Sequence, residues 1–289
     1  EGQPVLFDCI EFSERLASID VVYDLAFLVM DLWFQGQAGF ANRLANRYFD
    51  QVEDEEGYLL LPVFMALRAA IRAHVTATAA KQTKEDRESR QSVAEAYFQF
   101  SGNLLSERTG RLVAIGGLSG SGKTTIAEAL APSLGEPPGA RVFESDRLRK
   151  SLFGCDAEDR LPAEAYRPEF NERVYDSLFR KSVDLAALGV PVIANAVFAR
   201  EAERSSMTAN AARREIPFAG IWLYADAEAL RSRVAARKGG PSDATVDVLD
   251  RQLKIDTGRI DWRQLDVSGN VDTIVGEILD HLGKTGQES

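Results

Sequence analysis

The chain has 289 residues, a formal net charge of −10, 45% hydrophobic residues and 27% charged ones. That is ordinary globular composition at about twice the size of a single domain, so two domains are expected. Two cysteines exclude a disulfide scaffold and a four-cysteine zinc site, two histidines argue against a histidine-rich metal centre, and the acidic balance argues against nucleic acid as a bulk partner.

No secretory signal is visible at Glu1-Gly2-Gln3-Pro4, which has neither a basic region nor an apolar stretch. The longest apolar run, Leu59 to Leu67, falls short of the ~20 residues of a membrane span. A cytoplasmic protein with no membrane partner is expected. The acidity is uneven. Residues 1–110 hold 10 basic and 17 acidic side chains, against 24 and 27 in residues 111–289.

The first hundred residues are patterned for helices. Val21 to Trp33 and Ala38 to Phe49 carry apolar residues at helical spacing, separated by Gln35-Gly36-Gln37. Leu60, Phe64, Leu67, Ile71 and Val75 line one face of a third helix, with Pro62 expected in its first turn. That face is the expected core face, and His74 beside it is expected to be a partly buried structural histidine. Lys81 to Arg90 has mixed charge and reads as a solvated junction. Ser92 to Leu105 then resumes the helical pattern.

After Thr109-Gly110 the pattern alternates between strand and helix. Leu112–Ile115, Ala140–Phe143, Val190–Ala194 and Phe218–Tyr224 are short apolar runs, and Leu265-Asp266-Val267 is a candidate fifth. Thr124–Leu134, Ala163–Leu188 and Val271–Leu282 between and after them are helical. Continuous apolar strands separated by helices predict an α/β fold with a parallel sheet covered on both faces. The predicted division is 1–108, mostly helical, and 109–289, a nucleotide-binding domain.

Gly117-Leu118-Ser119-Gly120-Ser121-Gly122-Lys123-Thr124 fits the phosphate-loop pattern of glycines followed by Lys and Thr. It follows a strand and opens a helix, as its mechanism requires. The glycines let backbone N–H groups turn inward around a phosphate, and the helix N-terminus favours the negative charge. Gly117, Ser119, Gly120, Ser121, Gly122, Lys123, Thr124 and Thr125 are the candidate binding residues for ATP. Lys123 is expected to reach the β- and γ-phosphates and Thr124 to ligate Mg2+.

The second strand runs into Glu144-Ser145-Asp146, at the strand end where functional groups gather in open α/β sheets. Asp146 is the candidate base for an acceptor hydroxyl and a candidate Mg2+ ligand, or else a helix cap. Arg149, one helical turn on, is suited to an anionic substrate group. Arg231, Arg233 and Arg237, followed by Lys238-Gly239-Gly240-Pro241, read as a lid carrying arginines onto the transferring phosphate, or else as solvated surface. Arg233 and Arg237 are the candidates for phosphate contact. Tyr166, Arg167 and Tyr175 are candidate lining of the acceptor pocket.

These motifs resemble the small-molecule kinase branch of P-loop proteins that includes gluconate kinase, chloramphenicol phosphotransferase, zeta toxins and polynucleotide kinase. The resemblance covers residues 111–289 and rests on Gly117 to Thr124, the Asp146-x-x-Arg149 pair and the lid around Arg237. It implies that the second-strand aspartate is a base or substrate ligand, that lid arginines contact ATP, and that Leu265 to Gly269 lies near the adenine. One departure is Asn195, where many relatives carry aspartate. An amide brings no charge and cannot act as a base.

Residues 3–100 resemble the C-terminal lobe of aminoglycoside phosphotransferase-like kinases, through the strand ending at Asp8 and the Asp24-Leu25-Ala26 helix start. The resemblance implies that Asp8 would be a magnesium ligand and Asp24 a brace, with the upstream kinase-like lobe missing from this chain. Two functions compete: a kinase transferring the γ-phosphate of ATP to a small-molecule hydroxyl, and a regulatory ATP-binding module controlling the fused phosphotransferase-like part. A polynucleotide kinase is disfavoured by charge.

Overall fold

The computed structural model describes residues 19–82, 86–237, 239 and 242–285. Asp8, Lys238, Gly240 and Pro241 lie outside the described residues. Four helices come first: α1 (Val21–Phe34), α2 (Ala38–Val52), α3 (Glu55–Gln82) and α4 (Arg87–Leu104). Asp20 caps α1, its carboxylate accepting from the Val22 N–H at 2.8 Å. Asp24 pairs with Arg68 of α3 at 2.8 Å on the surface.

Of the α3 face read as core, Phe64 is partly buried and packs against Tyr23, but the rest faces outward. Leu60, Leu67, Ile71 and Val75 are exposed, while Leu61, Met65, Ala66, Ala69 and Ala73 are buried. Both faces are apolar, so periodicity alone does not choose between them; the alanine-rich face is the one that permits close approach of α4 and α1. Pro62 sits inside the helix rather than in its first turn, because α3 begins at Glu55. His74 is exposed, not partly buried. The apolar run at Leu59 to Leu67 also belongs to a longer apolar element. By length and composition this one helix among the described residues could cross a bilayer, with a mean hydropathy of 1.4 in its most apolar window. In the fold it packs along α1 and α4.

The rest alternates strand and helix: β1 (Arg111–Gly116), α5 (Lys123–Leu130), β2 (Arg141–Glu144), α6 (Ser145–Leu152), α7 (Pro168–Ala187), β3 (Pro191–Asn195), α8 (Glu201–Arg213), β4 (Phe218–Tyr224), α9 (Ala227–Ala236), α10 (Val246–Gln252), β5 (Arg263–Asp266) and α11 (Val271–Thr285). The sheet is parallel with order β2-β3-β1-β4-β5. Its central strands are buried on both faces, as their unbroken apolar runs require. One face packs on α5 and α11 through Val113, Ile115, Ile126 and Ile278. The other shares a continuous core with the four N-terminal helices. The helices α8 and α10 carry no strong periodic signal and are additions to the predicted elements.

The edge strand β2 is closed by side chains rather than by another strand. Asn46 of α2 accepts from the Val142 N–H at 2.7 Å and donates to the Ala140 carbonyl at 3.1 Å. Asn42, one turn earlier, donates to Pro138 and Ala140 carbonyls at 2.7 and 2.9 Å. Both amides are buried. Arg141 projects from β2 into the helices, meeting Asp50 at 2.6 Å and Glu55 at 3.1 Å with its side chain only 2% exposed. Leaving one such buried backbone group unpaired costs about 1–3 kcal/mol. Asn46→Ala should therefore lower the urea midpoint by about 2 kcal/mol equivalent with an unchanged slope. An unchanged midpoint would show that the asparagine edge carries no stability.

Candidate nucleotide and acceptor cleft

The loop between β1 and α5 has the conformation its glycines were chosen for. Gly117 has φ +140°, and a β-carbon there would run into the Leu223 carbonyl. Gly122 caps α5 with φ +80°. Around this loop opens a cleft of about 770 Å3, bounded by the carboxyl ends of β1, β2 and β3, the start of α7, and the segment after α9. Ser119, Gly120, Gly122, Lys123, Thr124 and Thr125 line it.

Lys123 donates to the Leu118 carbonyl at 3.1 Å. Although the residue is only partly covered, its ammonium is enclosed. Burial lowers its pKa to about 8, against the raising influence of Asp146 and, more weakly, Glu144. The Ser119 N–H is occupied by the Gln252 side-chain carbonyl of α10 at 2.9 Å. The Ser121 hydroxyl is buried without a partner.

Asp146 lies in the first turn of α6 and lines the same cleft as this lysine, close enough for its charge to act on it. Its carboxylate makes no hydrogen bond or ion pair among the described residues, and Glu144, not Asp146, holds the cap position of α6. Asp146 is thus a free acid in the cleft rather than a helix cap. Arg149 is 5% exposed, held by the Ala165 carbonyl at 2.7 Å and by the Asn171 amide oxygen at 2.8 Å. Both partners are neutral, and its Nε is buried with no hydrogen-bond partner among the described residues. Tyr166, Arg167 and Tyr175 line the same end of the cleft. Tyr175 uses its oxygen to accept from the Phe198 N–H at 3.0 Å, so it also positions the turn after β3.

The arginines after β4 separate. Arg237 lines the cleft just beyond the end of α9. Arg233 turns away and donates to the Val267 carbonyl at 2.8 Å, tying α9 to the turn after β5. Arg231 pairs with Asp250. Asp243, just ahead of α10, belongs to no motif and was not singled out above. Its carboxylate accepts from Tyr166 Oη at 2.7 Å, the Leu161 N–H at 3.1 Å and Lys150 Nζ at 3.4 Å. Burial works against its ionisation, but these donors outweigh it and hold the pKa below the usual carboxylate value.

Two further residues were missed by motif reasoning. Gln252 has no sequence signal, since only the tertiary fold brings it to the loop. Glu144 was in plain view beside Asp146. Its Oε1 accepts from Asn195 Nδ2 at 2.9 Å, and the same amide nitrogen lies 3.2 Å from Thr124 Oγ1. The missing charge at Asn195 was the available signal, because a carboxylate on the neighbouring strand can take its place. Among the described residues no cluster of three His, Cys, Asp or Glu side chains is present. Thr124, Asp146, Glu144 and Asn195 instead form a sparse oxygen-rich set, which fits Mg2+ bound mainly by waters and nucleotide phosphates.

The sheet order, the phosphate loop and the cleft above it define a P-loop, kinase-like α/β fold. Residues 112–255 match the family described as AAA domain. The chain is 29% identical over 287 residues to uncharacterized proteins of Mycobacterium tuberculosis and Mycobacterium bovis, an alignment covering 96% of this chain and 55% of each of those. The chain therefore spans about half the length of the curated relatives it matches. Among solved structures, a gluconokinase from Sinorhizobium meliloti is similar at 21% identity and TM-score 0.44, covering 63% of this chain and 97% of that one. The Mycobacterium tuberculosis APS kinase in complex with AMPPNP and APS is similar at 19% identity and TM-score 0.42, covering 62% and 99%.

Replacing Asp243 by Asn weakens its three contacts with Tyr166, Leu161 and Lys150. Limited proteolysis between residues 237 and 245 should accelerate several-fold while the global melting temperature stays within about 2 °C, since few core contacts are lost. Unchanged cleavage would mean that Asp243 does not hold this segment.

Proposed function

We propose that the cleft transfers the γ-phosphoryl group of ATP to a hydroxyl of a small molecule that also carries an anionic group. The observation that carries this reading is Asp146, a carboxylate with no hydrogen-bond or ion-pair partner among the described residues, lining the same cleft as the phosphate-loop lysine and acting on its charge. ATP would lie along Gly117 to Thr125, with Lys123 on the β- and γ-phosphates and Arg237 meeting the transferring group. Asp146 would accept the hydroxyl proton as the acceptor oxygen bonds to phosphorus and the bond to the β-phosphate oxygen breaks, releasing ADP. Bound Mg2+ would neutralise phosphate charge there, with Thr124 among its ligands and Asp146 within reach. The anionic group is inferred from Arg149, a buried cation with only neutral partners and one unsatisfied N–H.

A panel of hydroxylated acids and neutral polyols, assayed for ADP release, tests this. Turnover should favour the acids. Asp146→Asn should lower kcat by roughly 10²–10⁴-fold with little change in ATP affinity, and Lys123→Ala should abolish transfer. Tight ATP binding with no turnover on any acceptor would overturn the kinase reading in favour of a regulatory nucleotide-binding module.

The lysine supplies a separate pH test. Its pKa is about 8 with the loop empty, and a bound phosphate favours the charged form and raises it. ATP binding should therefore take up a proton between about pH 8 and the raised value, and affinity should fall as pH rises through 8. Calorimetry in buffers of different ionisation enthalpy reads the uptake directly. No uptake at pH 8.5 would contradict it.

We further propose that residues 1–108 are part of an aminoglycoside phosphotransferase-like lobe completed by polypeptide outside this chain, and that 109–289 is the P-loop domain. The outward apolar stripe Leu60, Leu67, Ile71 and Val75 supports it, as does the greater length of the relatives. An apolar dye should bind this chain more strongly than a polypeptide of the relatives' full length. Equal binding would exclude the stripe as the covered face.

A further inference from the structure

Glu144 ends the edge strand and is 4% exposed. Its two oxygens face in different directions. Oε1 is turned to the cleft and takes the Asn195 Nδ2 hydrogen bond at 2.9 Å. Oε2 is turned to the helices, 2.7 Å from Arg147 Nε and 3.7 Å from Arg47 Nη1 of α2. Glu144 and Asn195 are register partners on adjacent parallel strands. Asn195 in turn lies 3.2 Å from Thr124 Oγ1. The carboxylate is therefore one amide away from the hydroxyl that would ligate the nucleotide's cation. It also bounds the same cleft as Thr124 and Asp146.

Mg2+ keeps several waters when it binds with a nucleotide, and those waters need acceptors. Asn195 can orient such a water but brings no charge. Asp146, lining the same cleft as Lys123, is the residue available for the acceptor proton. A third group with negative charge beside Thr124 is what the arrangement lacks if only these two are counted, and Glu144 is there. The guanidinium groups on Oε2 offset part of its charge. A cation would then bind weakly to the protein alone and tightly only when phosphates supply the remaining oxygens.

We propose that Glu144 is the carboxylate of the divalent-cation site, accepting from a cation-bound water, with Asn195 as its positioning residue. The strand-borne negative charge is thereby displaced from β3 to β2, and it is steadied from behind by Arg147 and Arg47. This rests on the Mg2+–ATP reading of the phosphate loop.

The test measures ATP affinity by calorimetry with and without Mg2+, and Mn2+ binding by electron spin resonance in the presence of ADP. Glu144→Gln removes a negative charge near the phosphates, so metal-free ATP affinity should not fall, while the metal-dependent part should lose roughly 10–100-fold, the range for groups that orient a metal's ligands. Glu144→Gln combined with Asn195→Asp returns a carboxylate to the neighbouring strand and should recover much of that loss. Arg147→Met removes an Oε2 ion pair, so it should lower the ligand-free melting temperature while keeping metal dependence. Unchanged metal dependence in Glu144→Gln, or an equal loss in Arg147→Met, or no recovery in the double variant, would overturn the proposal. If the unmodified chain binds ATP with Mg2+ and transfers phosphate in each of these cases, the function stands and only the role of Glu144 falls. If it binds no ATP under either condition, both fall.

Discussion

β2 is the outermost strand of the sheet, and the arrangement of the cleft depends on how its open edge is closed. A bare parallel edge leaves backbone donors and acceptors to water or to another chain. Here the amides of Asn42 and Asn46 meet them instead, from a helix that runs past rather than alongside. Arg141 then ties the strand to Asp50 and Glu55 of the helical part. Buried amide pairs have strict geometry, so they fix the register of β2 as well as its stability. The residues that follow, Glu144 to Arg149, inherit their positions from that register. The cleft is thus built partly by helices that contribute none of its lining.

The same contacts make the helical part and the sheet one continuous body. The core that fills one face of the sheet runs on into α1, α2 and α3. Arg47 reaches from α2 both to Glu128 of α5, the helix opened by the phosphate loop, and to Glu144 at the end of β2. Charge is concentrated at this junction, and little of it is exposed. Breaking one partner of such a buried set costs more than the set gains over an apolar filling, so its value lies in fixing geometry.

Much of the nucleotide side was legible in the sequence because it depends on local rules. The phosphate loop needs its glycines, lysine and threonine in one short stretch, and the strands are unbroken apolar runs. Asp146 and Arg149 share a helix turn, so their spacing places them together. The helical part was legible as helices but not in its facing. On α3, the inner face carries Tyr58, Leu61 and Met65 and then the small Ala66, Ala69 and Ala73, while Leu60, Leu67, Ile71 and Val75 lie outside, so hydrophobicity alone does not pick the buried side. Arg233 and Arg237 look equivalent at helical spacing. Only the end of α9 between them sends one to Val267 and the other to the cleft. Glu144, Asp243 and Gln252 acquire meaning only from neighbours 51 to 133 residues away in the chain.

The contact between Gln252 and the Ser119 N–H places an acceptor from the chain itself on one of the loop's donors. An amide oxygen already sits on one of its donors, as a placeholder supplied by the chain. A phosphate oxygen reaching that donor, as in the proposed function, would come by exchange, one acceptor leaving as another takes its place. The net gain from that donor is the difference between two hydrogen bonds rather than the whole of one. Gln252 belongs to α10, which packs on α9 and follows Asp243 in the chain. Through that one amide the loop's Ser119 donor is linked directly to the end of α10.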